Sequence, residues 1–280
     1  MTLSFQIQIV TTDPASFLLN EWMVVRISGP DAVSFLNGLT TRDLNTFQNE
    51  KAYLSSFLNP KGKITSLYWI VKTSGTYSLD GTSVLMFIVP EMKESTVTDL
   101  LKYNINVDIK LEDITLEIPP LHYVATHDAE GFPNMDPLFF LPAGNFLFQK
   151  KDGSEKSYFS LLEPPFDFIP FSVFKGLNPL ESGLKGIVDL QKGCFLGQEP
   201  ISRMTYRGRP RFQLARTRYP TEVFTLKENK AYLNEKAIGT VLFLDKKRGF
   251  FVWQVNSRDL EDHIYDEIIN SSHTQLLGNY

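Results

Sequence analysis

Apolar and polar positions alternate over residues 22–27, a period-two rhythm that predicts a strand. The chain then passes through Ser28-Gly29-Pro30-Asp31, which offers a capping hydroxyl, a proline for a first turn and an acid near a helix start, so a short helix to about Gly38 is expected. Over residues 51–72 two β-rich stretches flank Asn59-Pro60-Lys61-Gly62, a turn sequence that predicts a hairpin. A second hairpin is expected around Thr73-Ser74-Gly75. The apolar run 84–89 predicts a buried strand, and Pro90-Glu91 opens a helix whose apolar positions Val97, Leu100, Leu101 and Ile105 recur at helical spacing. Strands resume over residues 107–124.

Residues 126–145 are rich in Pro, Gly and Phe without a clear period and are expected to connect two lobes. A hairpin is predicted at Lys151-Asp152-Gly153, ahead of a loop through Pro164, Pro165 and Pro170. Beyond Pro210, β-rich runs at 212–219, 231–233, 237–244 and 249–255 are separated by polar turns, the spacing of a small barrel or sandwich. The last twenty or so residues carry a helical rhythm that Asp259-Leu260-Glu261 could begin. The fold class expected is α+β, with antiparallel sheets in a body over residues 1–210 and a β-barrel-like domain with a terminal helix over residues 211–280.

Composition narrows the function. A chain of 280 residues, 42% hydrophobic and 21% charged, can bury a large core and exceeds one ordinary domain. Its 22 phenylalanines and 11 tyrosines suit a flat ring ligand and an aromatic core equally well. A net charge of −4 argues against a protein that coats nucleic acid, while leaving room for a local basic patch. One cysteine excludes an intrachain disulfide and any zinc or iron–sulfur centre held by several thiolates of this chain. The amino terminus lacks a basic stretch followed by an apolar one, and no apolar run is long enough to span a bilayer. A soluble, reducing, cytoplasmic setting without membrane association is the expectation.

That single cysteine, Cys194, stands in Lys192-Gly193-Cys194-Phe195-Leu196-Gly197-Gln198-Glu199. Glycines at 193 and 197 allow close approach or left-handed turns, and Lys192 with a helix start near Pro200 sets a positive surrounding that favours a thiolate. A lone cysteine is otherwise a small buried hydrophobe. Gln198 and Glu199 could bond a polar ring edge or simply cap the helix, and Arg203 one turn on could pair with an acid. Arg207, Arg209 and Arg211 form a basic run suited to an anionic tail or to solvent. His122 and His127 are spaced poorly for two ligands on one helix face.

The stretch 178–209, NPLESGLKGIVDLQKGCFLGQEPISRMTYRGR, closely resembles the folate-binding YgfZ-type proteins, relatives of the glycine-cleavage T-protein that support iron–sulfur cluster assembly and repair. Lys192 to Glu199 with Arg203 fills every fixed place of the family's signature. Pro179-Leu180-Glu181-Ser182-Gly183-Leu184 matches its P-x-E-x-G-L segment, and Gly29-Pro30-Asp31-Ala32 with Phe35, Leu36 and Gly38 matches its amino-terminal motif. The resemblance implies a T-protein-like body around a central folate cavity, tetrahydrofolate as cofactor, and iron–sulfur client or assembly proteins as partners. It implies that Cys194 acts, and that Glu181, Lys192, Gly193, Gly197, Gln198, Glu199, Arg203 and Arg207 line the site. A carboxylate at Glu181 can accept from the paired donors of a pterin; an ordinary glutamate at a helix start is the alternative. Relatives carry an arginine-rich lead before the P-x-E segment where this chain has LLEPPFDFIPFSVF, with Glu163 as a stand-in. T-protein transferases carry an acidic pair where this chain has Ser66 and Leu67, which cannot serve as a base. Two rival functions stay open: a folate-dependent one-carbon transferase acting on an amine or an RNA base, and a non-catalytic interaction module.

Overall fold

The computed structural model describes residues 23–49, 52–74, 78, 83–117, 121–122, 139–141, 144–148, 169–208, 210–233, 235–247, 249–257 and 274–277. The chain divides into two compact units, one drawn from Met1–Leu58, Thr65–Glu163 and Gln191–Leu196, the other from Asn59–Ile64, Pro164–Leu190 and Gly197–Tyr280.

A five-stranded sheet organises the first unit. Strands β1 (Met23–Ser28), β2 (Ala52–Leu58), β3 (Ile64–Thr73), β4 (Ser83–Ile88) and β5 (Lys110–Asp113) lie in the order β2-β3-β4-β1-β5. β1 pairs antiparallel with β4 and β5, and β3 with β4. Every residue of β4 is buried, which is why residues 84–88 form a continuous apolar run rather than an alternation. Helix α1 (Ala32–Leu39) buries Ala32, Phe35, Leu36 and Leu39, one face at helical spacing. It starts after Asp31 rather than at Ser28: the Asp31 carbonyl accepts the Phe35 N–H at 2.8 Å, and the Asp31 carboxylate is used by the Asp108 N–H at 2.9 Å.

Helix α2 (Lys93–Tyr103), entered through a 3₁₀ turn at Pro90–Met92, is rotated from the expected face. Met92, Thr96 and Leu100 are buried, while Leu101 and Ile105 are exposed. Thr96 can be buried because its hydroxyl donates to the Met92 carbonyl at 2.7 Å, so no polar group is stranded. Strands β6 (Leu121–His122), β7 (Phe139–Leu141) and β8 (Gly144–Phe148) form a small sheet in the order β6-β8-β7, so strands occupy part of the stretch expected to be an irregular connector. Gly75, His127, the turn at 151–153, Glu163 and Arg209 lie outside the described residues.

The second unit carries a six-stranded sheet of β9 (Phe212–Arg218), β10 (Thr225–Lys227), β11 (Lys230–Leu233), β12 (Lys236–Asp245), β13 (Phe250–Asn256) and β14 (Thr274–Leu276), in the order β10-β11-β12-β13-β9-β14 with antiparallel pairs throughout. Among the described residues the pairing runs from one edge to the other and closes no barrel. Residues 274–276, expected in a terminal helix, are a strand beside β9; pairing with a neighbour overrides their weak helical rhythm. The core gathers Ala215, Phe224, Phe251, Trp253 and Val255. Trp253 Nε1 donates to the Thr217 hydroxyl at 2.9 Å, and Gly239 lies so close beneath the indole that a Cβ would come within 2.4 Å of it. No helix among the described residues is long and apolar enough to cross a membrane.

Candidate functional site

The segment around Cys194 is pinned to the end of α1. The last carbonyls of a helix lack intrahelical partners and carry partial negative charge. Here the buried Lys192 ammonium donates to three carbonyls at that end, those of Asn37 at 2.7 Å, Thr40 at 2.7 Å and Arg42 at 2.8 Å. All three of its donors are used, and its nitrogen also lies 5.1 Å from the centre of the Phe195 ring, which is itself buried. Past the cysteine, the Leu196 N–H donates to the Gly38 carbonyl at 3.0 Å. Cys194 therefore sits between two anchors on one helix end, and its side chain is exposed.

Two expectations change. Lys192 spends its charge on backbone carbonyls, because burial demands that each ammonium proton find an acceptor, and so it organises the loop instead of facing a ligand. Gly193 is not in the left-handed region. Its chain neighbours aside, a Cβ there would meet nothing within 4 Å, so neither backbone conformation nor crowding requires glycine at 193.

Beneath the same helix end lies a buried layer of hydroxyls. The Thr40 and Ser55 hydroxyls bond each other, and the Thr41 hydroxyl lies 3.3 Å from those of Ser55 and Ser56 while accepting the Ser56 N–H at 3.2 Å. Complete burial pushes the neighbouring Tyr68 phenol well above its usual range, outweighing the hydroxyls of Thr40 and Ser55 that favour its ionised form. Ser66 and Leu67, at the places of the transferases' acidic pair, are both fully buried.

Glu181 belongs to the second unit and is 5% exposed. Its carboxylate accepts from the Lys63 ammonium at 2.9 Å, and its own carbonyl accepts the Leu214 N–H at 3.1 Å. Asn178 completes the frame. Its amide donates to the Gly62 carbonyl at 3.1 Å, and its side-chain oxygen accepts the Leu180 N–H at 2.9 Å. Pairing of Ile64 N–H with the Leu177 carbonyl, and of Gly176 N–H with the Ile64 carbonyl, fastens the hairpin turn to this segment. The turn is shaped by Asn59, whose side-chain oxygen accepts the N–H groups of Lys61 and Lys63, and by Gly62 in the left-handed region. A Cβ on Gly62 would lie 3.1 Å from that of Pro200, so glycine also permits the turn to approach the next helix.

That helix is α3 (Gln198–Arg207), and Gly197 with φ of 79° makes the left-handed junction before it, as the residue types predict. Gln198, Glu199 and Pro200 form its first turn. Glu199 and Arg203 pair at 2.7 Å one turn apart, exposed at 82% and 69%, so Arg203 has the ordinary ion-pair role and one that contributes little. Arg207 is the last helical residue. In the first unit the structure holds Lys192, Gly193 and Cys194 against the end of α1; in the second it sets Glu181 with Lys63 and Asn178, and Gly197 to Arg203 at the start of α3. Asn178 and the α1 carbonyls were not foreseen: backbone acceptors leave no mark in residue types, whereas Asn178 before a proline was a legible turn signal.

Among the described residues no group of three or more His, Cys, Asp or Glu side chains could hold a metal ion. The Glu181 carboxylate is an acceptor of the kind a pterin edge calls for. Lys63 fixes one oxygen of a buried carboxylate, and a carboxylate's remaining acceptor sites match the adjacent N–H donors of a pterin edge.

No protein-family model matches the chain. It is 26% identical over 223 residues to a tRNA-modifying protein YgfZ of Hamiltonella defensa, covering 68% of this chain and 66% of that one. Proteins of the same name from Blochmanniella pennsylvanica and Yersinia pestis are each 25% identical, over 70% and 68% of this chain and 69% and 66% of theirs. The match to the Hamiltonella and Yersinia proteins thus spans slightly less than two thirds of their length. Among solved structures, the glycine cleavage system aminomethyltransferase T of Bartonella henselae shares the fold with a TM-score of 0.54 at 11% identity, over 85% of this chain and 76% of that one.

Proposed function

We propose, from the premise that this chain belongs to the YgfZ-type proteins and has the fold of the glycine-cleavage T-protein, that it is a tetrahydrofolate-binding accessory protein. In this reading it supports assembly or repair of iron–sulfur clusters in client enzymes, in a cytoplasmic setting, and Cys194 is the residue that acts. The observation that carries the reading is the exposed thiol fixed by anchors at Lys192 and Leu196. A loop held on both sides costs little further ordering when a partner engages the sulfur. Glu181, oriented by Lys63, would hold the pterin edge, and the folate would supply a reduced pterin ring when bound.

The relatives' name, tRNA-modifying protein, supports a second reading as a folate-dependent one-carbon transferase acting on an RNA base. Ser66 and Leu67 weigh against it, since neither can act as a general base. Folate binding is tested by melting the protein with and without added tetrahydrofolate: binding to the folded state raises the midpoint in proportion to the logarithm of ligand concentration. No shift removes the folate from the account. Transfer of a one-carbon unit to a tRNA transcript with folate as donor would establish the second reading over the first.

A further inference from the structure

We propose that one end of the second unit's sheet is a docking surface for the phosphate backbone of a structured RNA. The charge balance of the chain points there first. Residues 197–257 hold twelve lysines and arginines against five acids, although the chain as a whole has a net charge of −4. Such a local excess in an acidic protein needs an account, because self-repulsion costs stability.

Strand direction turns both hairpins of this sheet the same way, in a stagger: Lys230 is level with Thr240, five residues short of Asp245, where β12 ends beside Phe250 and Arg218. Arg218 closes β9 opposite Phe250, the first residue of β13, and Lys246 and Lys247 occupy the turn that leads into β13. Lys227 and Lys230 stand directly opposite each other across β10 and β11, joined by Glu228 and Asn229 in left-handed conformations. The Asn229 carbonyl accepts the Val241 N–H at 2.8 Å, which sets this turn alongside the half of β12 that runs to Lys246. All five basic side chains are exposed, and among the described residues none of them pairs with an acid. Like charges directly opposite in a sheet destabilise it, so the Lys227 and Lys230 pair gains when an anion lies over it. Arg216 is held with its guanidinium 4.0 Å above the Phe250 ring, on the same strand as Arg218.

The arrangement favours RNA over a membrane or an acidic peptide. From β9 to β10 the charges span four strand spacings, roughly 19 Å, at about 4.8 Å each, wide enough to meet several phosphates of a folded nucleic acid. A membrane surface would call for apolar side chains to insert beside the charges, yet among the described residues the exposed large apolar side chains, Leu101, Ile105, Leu116 and Tyr206, lie on other elements.

The test is fluorescence anisotropy of a labelled, unmodified tRNA transcript titrated with the full chain between about 50 and 200 mM salt. Affinity is expected to fall steeply with salt. The charge-reversal variant R218E/K230E/K246E/K247E should bind at least tenfold more weakly, with a salt slope shallower by roughly 3. A glutamine version at the same four positions should show a smaller loss in the same direction, which separates charge from misfolding. The α2 variant K93E/K102E, in the other unit, should bind as the parent does. The proposal is overturned if no binding is seen at the lowest salt, if the reversal and glutamine variants bind as the parent does, or if anionic phospholipid vesicles or a polyglutamate peptide bind more tightly than the transcript.

Discussion

The Lys192 ammonium lies 2.7 Å from the Thr40 carbonyl oxygen, and through this bond the residue two before Cys194 closes the end of helix α1. Lys192→Met should leave three carbonyls at that end without their donor. The cost is expected to be about 3 kcal/mol, the scale for losing hydrogen bonds to a buried charged group. Lys192→Arg should not restore it, since a planar guanidinium cannot converge on three carbonyls as an ammonium does. Denaturant unfolding of the three proteins checks this, and equal midpoints would remove the clamp from the account.

Glu181→Gln tests the folate contact. Losing the carboxylate's charge-assisted bonds should weaken tetrahydrofolate binding by about 1.5 to 3 kcal/mol. Lys63→Ala frees the same carboxylate from its partner, and in the double variant the two losses should not add, because the pair acts as one unit. Calorimetry gives all three values; an unchanged dissociation constant in Glu181→Gln excludes this side chain from binding.

Ser66→Asp with Leu67→Asp restores the acids of the transferases at two fully buried positions. An unpaired carboxylate there costs several kcal/mol or rises in pKa by about 3 to 5 units if fully buried. The double variant is therefore expected to melt at lower temperature and to gain no aminomethyl transfer. Measurable transfer would show that these two side chains are the main defect.

Glu112 gives the first unit a sign in its response to acid. Lys110 at 2.7 Å, and Arg26 at 3.2 Å on the neighbouring strand, hold its carboxyl below the ordinary carboxylate range. A carboxyl lowered by folding stabilises the fold above its unfolded pKa, and that contribution is lost as pH falls through the folded value. Glu112→Gln should therefore differ most from the parent near neutrality, and converge with it only as pH falls through the carboxyl's lowered folded value. A difference that widens in acid would contradict the assignment.

What could be read in the sequence was set by local chemistry. Asn59 to Gly62 announced its turn because an asparagine side chain and a left-handed glycine suffice to make one, and Gly197 marked the start of α3 for the same reason. The face of α2 was misread because Thr96 hides its hydroxyl on a helix carbonyl, so a polar residue is buried where Leu101 is not. Strand β10 went unforeseen, since its three residues are held by pairing with β11 and not by any pattern of their own. Likewise the motif located Cys194, but the acceptors for Lys192 are backbone carbonyls some 150 residues earlier, which no spacing in the sequence could reveal.

The central claim is that the exposed Cys194 thiol is the acting group, and the most direct measurement is the activity of iron–sulfur enzymes in cells whose only copy of the gene encodes Cys194→Ser. Removing one exposed sulfur should leave the melting temperature of the purified protein unchanged. The account predicts cluster-enzyme activity as low as in cells lacking the protein altogether. Activity equal to that with the parent protein, at equal protein level, would contradict it.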